Sequence, residues 1–293
     1  MIVTLQNECL TVDIEDLGAQ LASVRNHHGT EYLWQGDADI WARRAPILFP
    51  ILGRLKDNTY LLDGVAHKIG QHGFARDCIF ELVEHSDTQA VFRLTDNAET
   101  RRLYPFSFSL TITYTLEGNR LTKNHRVKNR SEQVMYYELG VHDGFRAPLE
   151  ENETMAQYAI RLPGLDDAIT PYGMDEQAMV TPKGESIPLE NGRLSLTPAT
   201  YNLDTVILDQ PPKARAVLVD GQDRPRVTVD FPQFPYLGIW TQDKPFDTNY
   251  VCIEPWSTLP DATFVGRELK EKAGIRSLQP GQAEELSYTT TFS

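Results

Sequence analysis

The stretch from Phe106 to Leu116 leaves little freedom in what this chain can fold into. Phe106, Phe108, Leu110, Ile112, Tyr114 and Leu116 take every even position, and Ser or Thr takes every odd one between them. A period of two puts one set of side chains on each face of an extended strand, the apolar set against a core and the hydroxyls toward water. Gly118-Asn119 follows as a two-residue hairpin signal, and Leu121 to Val127 returns with Leu121, Lys123, His125 and Val127 on one face. Two polar residues in that row predict a return strand that is solvated or faces a groove, with His125 a surface or groove residue.

Shorter runs of the same kind extend through the chain. LTVDI and AQLASV precede a turn at His27-His28-Gly29, and Tyr32 to Trp34 reads as another short strand. Phe80 to Glu84, Ala90 to Thr95, Asp204 to Asp209, Ala214 to Asp220, Val227 to Phe231, FPYLGIWT and a last strand through Phe292 continue the pattern. From Arg146 to Thr200 prolines interrupt the chain six times, which predicts short strands with long excursions, and Pro182 to Gly192 reads as a surface hairpin. Helix is predicted only as a turn around Asp39 to Arg43, with Trp41 packed inward, and over Thr263 to Ala273, closed by Gly274. The expectation is an all-β protein: a single domain spanning 1–293 with one or two short helices, since all-β sandwiches and barrels often exceed the usual domain size.

Composition restricts the partners. With 28 Lys and Arg against 41 Asp and Glu, the net charge of −13 disfavours nucleic acid and anionic membrane, both of which need neutralising cations. A neutral small molecule fits better. No apolar run is long enough to span a bilayer, and MIVTLQNECL lacks the basic-then-apolar plan of a signal peptide, so the cytoplasm is the expected location. Cys9, Cys78 and Cys252 are odd in number and widely spaced, which predicts buried free thiols rather than a disulfide framework or a cysteine-based zinc site. Adjacent strand residues point to opposite faces, so His27 and His28 read as exposed loop residues rather than a metal pair.

Polar side chains gather where glycine or proline marks the end of a run. Between Arg43 and Asp77 the apolar segment Pro46 to Leu52 gives way to Gly53-Arg54, then to Gln71-His72-Gly73-Phe74-Ala75-Arg76-Asp77. Glycine lets backbone approach a ligand, Arg54 offers planar donors, and His72 donates or accepts near neutrality. A second histidine, His142, stands where VMYYELG opens into Val-His-Asp-Gly-Phe, and Glu254 follows the apolar run VCI with Pro255 holding its backbone extended. Two imidazoles and a carboxylate suit proton transfer on a neutral polar molecule.

Taken in order, RAPILFPILGRLKDNTY, QHGFARD, the strand ending in Gly-Val-His-Asp-Gly-Phe, FPYLGIWT and IEPWSTLPDA resemble the aldose 1-epimerases, the galactose mutarotase family, in its LacX-like and hexose-6-phosphate mutarotase-like branch. The resemblance covers nearly the whole chain. It implies a large antiparallel β-sandwich, the galactose mutarotase-like supersandwich, with a sugar cleft and no metal or organic cofactor. It also implies interconversion of α and β anomers by ring opening, with Glu254 as general base and His142 as general acid. His72 and Arg54 match residues that hold the sugar. Asp204 falls where the family often places a substrate-binding Asp, with Asp209 as a rival; Arg76 is a candidate for a substrate phosphate or an edge residue paired with Asp77; Trp240 is a candidate to stack on a sugar or to pack in the core. The sequence departs from the family pattern at Asp143, where proline is usual, and at Gly238, near which galactose-specific members carry Gln. The competing expectations are a non-catalytic sugar-binding or regulatory protein on the same fold and a glycoside hydrolase, which needs two carboxylates. The expected partner is an aldose, phosphorylated or not, and the chain is compatible with a monomer or a homodimer.

Overall fold

The computed structural model describes residues 1–197, 200, 205–242 and 248–293. The strands that bound the site and the core beneath it are, in chain order, β1 (Ile47–Leu48), β2 (Phe108–Glu117), β3 (Arg120–Asn129), β4 (Gly140–Val141), β5 (Asp143–Arg146), β6 (Thr205–Asp209), β7 (Tyr236–Trp240), β8 (Tyr250–Trp256) and β9 (Ala283–Phe292). Two large antiparallel sheets carry them. A nine-stranded sheet has β9, β3 and β2 at its centre, and an eight-stranded sheet runs through β6, β7, β8, β4 and β1, with β5 pairing β8 beside β4.

The alternation in β2 produces the expected result: Phe108, Leu110, Ile112, Tyr114 and Leu116 are buried. The hairpin to β3 is in register, with Leu121 opposite Leu116 and Val127 opposite Leu110. The polarity of β3 misled, however. Lys123 and His125 are 3% and 1% exposed, because β3 is a central strand between β2 and β9 and its whole odd-numbered row faces the core. The cost of burying a cation is met by Asp143: both its carboxylate oxygens accept from Lys123 Nζ at 2.7 Å, and one also accepts from Tyr288 Oη at 2.6 Å. His125 stacks on Tyr288 and its Nδ1 lies 3.2 Å from the Leu286 carbonyl.

The helix expectations are also corrected. Residues 38–40 form a turn, and only Leu269–Glu271 within the predicted terminal helix is helical, as one 3₁₀ turn. That segment's backbone is engaged elsewhere: Thr263 N–H donates to Val180 and Glu268 bridges to Leu61. The one α-helix among the described residues, Ala98–Leu103, was not expected; Asn97 caps it by accepting from the Glu99 and Thr100 N–H groups. Tyr32 to Trp34 makes isolated bridges rather than a strand, and Pro182 to Gly192 contributes to two separate pairings rather than one hairpin. The three cysteines are free, but only Cys252 is buried and Cys9 and Cys78 are half-buried.

Candidate active site

One register relation builds the site. Gly140 on β4 lies opposite Trp256 on β8, and Asp143 on β5 lies opposite Ile253. Counting inward from both pairs places Val141 opposite Pro255 and His142 opposite Glu254. Proline has no N–H to donate, and it is here that the ladder between β4 and β5 is interrupted. The two facing side chains meet: His142 Nδ1 stands 3.5 Å from Glu254 Oε1, both residues more than nine-tenths buried. Since neighbours on a strand alternate, Asp143 turns the other way, into the core and onto Lys123. Asp143 therefore takes no part in the cavity face.

Glu254 and His142 line a cavity of about 450 Å³, within the size range of small-molecule sites. Trp41 and Trp240 wall it: the His142 ring stacks on Trp41 at 5.0 Å between centroids and meets Trp240 edge-on at 5.3 Å. Trp41 packs inward as expected, against the buried Trp34, Tyr250 and Cys252, and its other side lines the cavity. Trp240 also lies on the cavity side rather than in the main core. Trp256, which the sequence reading passed over, donates from Nε1 to Glu254 Oε2 at 3.3 Å. Its signal was the glycine across the ladder: a Cβ on Gly238 would fall 2.5 Å from the Trp256 ring, so this position is small because the indole fills it.

The opposite wall is His72, held by a reciprocal exchange between two loops. His72 N–H donates to the Gly53 carbonyl at 2.8 Å, and Gly53 N–H donates to His72 Nδ1 at 3.1 Å. Nδ1 is therefore an acceptor, which leaves the proton of the neutral ring on Nε2. The tight loop depends on Gly73, where a Cβ would lie 2.3 Å from the Phe49 carbonyl oxygen at a φ of +70°. Beneath Gly53, a buried set locks the loop to the end of β8. Glu138 accepts from Leu52 N–H and sits 3.3 Å from Lys272 Nζ, while Asp261 accepts from that same Nζ and from Lys56 N–H.

Both histidines are neutral in this setting. Burial pushes His142 down to about 3, with the positive charges of Arg76 and Arg43 adding to the effect. Burial also lowers His72 well below its ordinary value, reinforced by His142, Arg76 and Arg43. Arg43, Arg54 and Arg76 all line the cavity. Arg76 is itself lowered to about 10 by burial and by Arg43, and Nη2 donates to the Gln71 carbonyl at 2.8 Å. Arg43 pairs with Asp77 at 2.9 Å, and Arg54 stands exposed at the rim. Asp204 lies outside the described residues. Its rival Asp209 pairs with Lys183 at 2.6 Å and is not part of the cavity wall, which Thr205 and Gln242 join instead.

A carboxylate facing an imidazole, under aromatic walls and beside fixed donors, is an arrangement chemically suited to proton transfer on a polar ligand. The sandwich and this site define a class: the chain belongs to the aldose 1-epimerase family, whose model matches residues 1–276. It is 31% identical to the plasmid-encoded protein LacX of Lactococcus lactis subsp. lactis, over all of this chain and 99% of that one. Among solved structures it is similar to a galactose mutarotase related enzyme from Lactobacillus acidophilus, at 32% identity and a TM-score of 0.92, covering 100% of this chain and 97% of that one. A galactose mutarotase-like protein from Lactobacillus casei gives 29% identity and a TM-score of 0.91 with full coverage of both.

Proposed function

We propose that the protein is a mutarotase that interconverts the anomers of an aldose through ring opening. The observation that carries this reading is the His142 and Glu254 pair, 3.5 Å apart at the cavity surface. Glu254 takes the proton from the anomeric O1 hydroxyl, the C1–O5 bond breaks as His142 delivers a proton to O5, and the open aldehyde forms. Rotation about C1–C2 and the reverse transfers close the ring as the other anomer. Because His142 is neutral before substrate arrives, the proton taken by Glu254 has a route through Nδ1 of His142, with the ring giving up its other N–H to O5. That relay returns both groups to their starting state after each turnover. His72 donates from Nε2 to a sugar oxygen, and Arg54 reaches it from the rim.

A second reading concerns the substrate's charge. Arg43, Arg54 and Arg76 concentrate positive charge at the cavity of a chain with net charge −13, which favours a phosphorylated aldose over a neutral one. Anomer exchange followed by NMR across glucose, galactose, xylose, arabinose and glucose 6-phosphate tests both. Catalysed exchange should appear with at least one sugar and fall by about 10²- to 10⁴-fold in Glu254→Gln and in His142→Asn, with circular dichroism unchanged. A stronger response to glucose 6-phosphate, reduced by Arg76→Gln, would establish the charged substrate. Sugar binding without exchange would make the protein a binding module on this fold.

A further inference from the structure

Cys252 has no part in the proton transfers just described, yet it shares their address. Cys252 and Glu254 are two apart on β8 and so point to the same face, and His142 lies across the ladder from Glu254. One ligand atom from each of the three residues falls within 4.8 Å of the others, and all three residues are buried. No short motif announces this set, because His142 and Cys252 are more than a hundred residues apart in the chain.

A second observation points the same way. His142 Nδ1 is a buried nitrogen with no hydrogen-bond partner, and it is aimed at the Glu254 carboxylate. Buried polar nitrogens are nearly always satisfied, so an unsatisfied lone pair beside a carboxylate and a thiol invites a cation. The donor set, one imidazole, one thiol sulfur and one carboxylate oxygen, selects a borderline-soft divalent ion and disfavours magnesium or calcium, which prefer oxygen. Around tetrahedral zinc, with bonds of about 2.0 to 2.3 Å, ligand atoms stand roughly 3.4 to 3.8 Å apart. The His142 to Glu254 separation of 3.5 Å already matches, and closing the widest pair needs about 1 Å of side-chain movement. His142 and Glu254 line the cavity, so water there is available as a fourth ligand.

We propose that His142, Cys252 and Glu254 form an inhibitory site for zinc and ions like it. The metal binds the thiolate, imidazole and carboxylate, and the thiol proton is released to water. It occupies both groups assigned to proton transfer, so on the mutarotase reading above it blocks turnover and competes with the sugar.

The test uses metal-stripped protein and cobalt(II) as probe. One equivalent should give the intense visible bands of a tetrahedral site and a thiolate-to-cobalt charge-transfer band, and zinc should displace both. Cys252→Ser and Cys252→Ala should each lose the charge-transfer band. A variant with His27 and His28 both changed to Ala, which removes the exposed neighbouring pair, should keep it. Zinc inhibition, each variant referred to its own metal-free rate, should weaken by at least about tenfold in Cys252→Ser, since even outer-shell partners of a metal contribute that much. Absence of the cobalt bands in the unaltered protein, or a charge-transfer band that survives both substitutions, overturns the site. The spectra require no turnover, so they stand or fall separately from the mutarotase assignment.

Discussion

At the scale of single residues, Gly238 and Trp256 are one decision rather than two. The indole lies over the glycine and from there reaches Glu254. Gly238→Ala puts a methyl where the ring is, and the ring must leave its hydrogen bond. The expected outcome is a loss of about 1 to 3 kcal/mol in stability, measured by urea denaturation, together with a fall in anomer exchange larger than the stability loss accounts for. An alanine variant with unaltered activity would show that the indole does not matter to the carboxylate. His142, Glu254, His72, Arg54, Arg76 and Trp240 all line one cavity; glycine and proline marked the backbone at Arg54, His72, His142 and Glu254, whereas Arg76 and Trp240 stood out only through the family resemblance. Trp256 was hidden in the same motif as Glu254, since nothing local distinguishes a tryptophan that packs from one that donates.

At the scale of elements, β3 shows what periodicity alone misses. Its alternation located the strand and its register, but Lys123 and His125 in the inward row pointed to water when the structure buries both. The missing information was tertiary: Asp143 arrives from a strand twenty residues on and neutralises the lysine. Lys123→Met strands that carboxylate in the core and should cost about 3 to 5 kcal/mol, whereas Lys123→Met combined with Asp143→Leu should recover most of the loss. A double-mutant cycle by chemical denaturation reads this directly, and equal losses in the single and double variants would refute the pairing argument. The helix at Ala98–Leu103 was legible in principle from Asn97 and Thr100 at capping spacing. The terminal helix failed for the opposite reason, a helical pattern whose backbone partners lie in other segments.

At the scale of the whole molecule, three buried histidines contribute to its response to acid. His125 and His142 are lowered to about 3, His125 by burial and then by the charge of Lys123, and His72 is lowered as well. Below the ordinary value of 6.5 the unfolded chain binds protons that the folded chain refuses, so acid favours unfolding. Stability is complete above about pH 6.5 and is lost toward pH 3, by up to about 1.4 kcal/mol per pH unit for each histidine. His125→Phe, which keeps the ring on Tyr288, should flatten the slope of unfolding free energy against pH by about one proton in this window. An unchanged slope would mean that His125 is already protonated in the fold.

The crossing of β8 with β4 and β5 gives the proposed acid and base a parity. Each faces the cavity only because an even count separates it from its neighbours on the same side, and the two counts agree across the ladder. Inserting one residue between Gly140 and His142, or between Ile253 and Trp256, turns one partner to the core and brings a buried neighbour to the cavity. Lengthening the loops beyond these strands leaves the parity intact. Chains of this kind are therefore free to grow and vary at their loops, while two stretches of seven residues, 140–146 and 250–256, stay closed to any change of length.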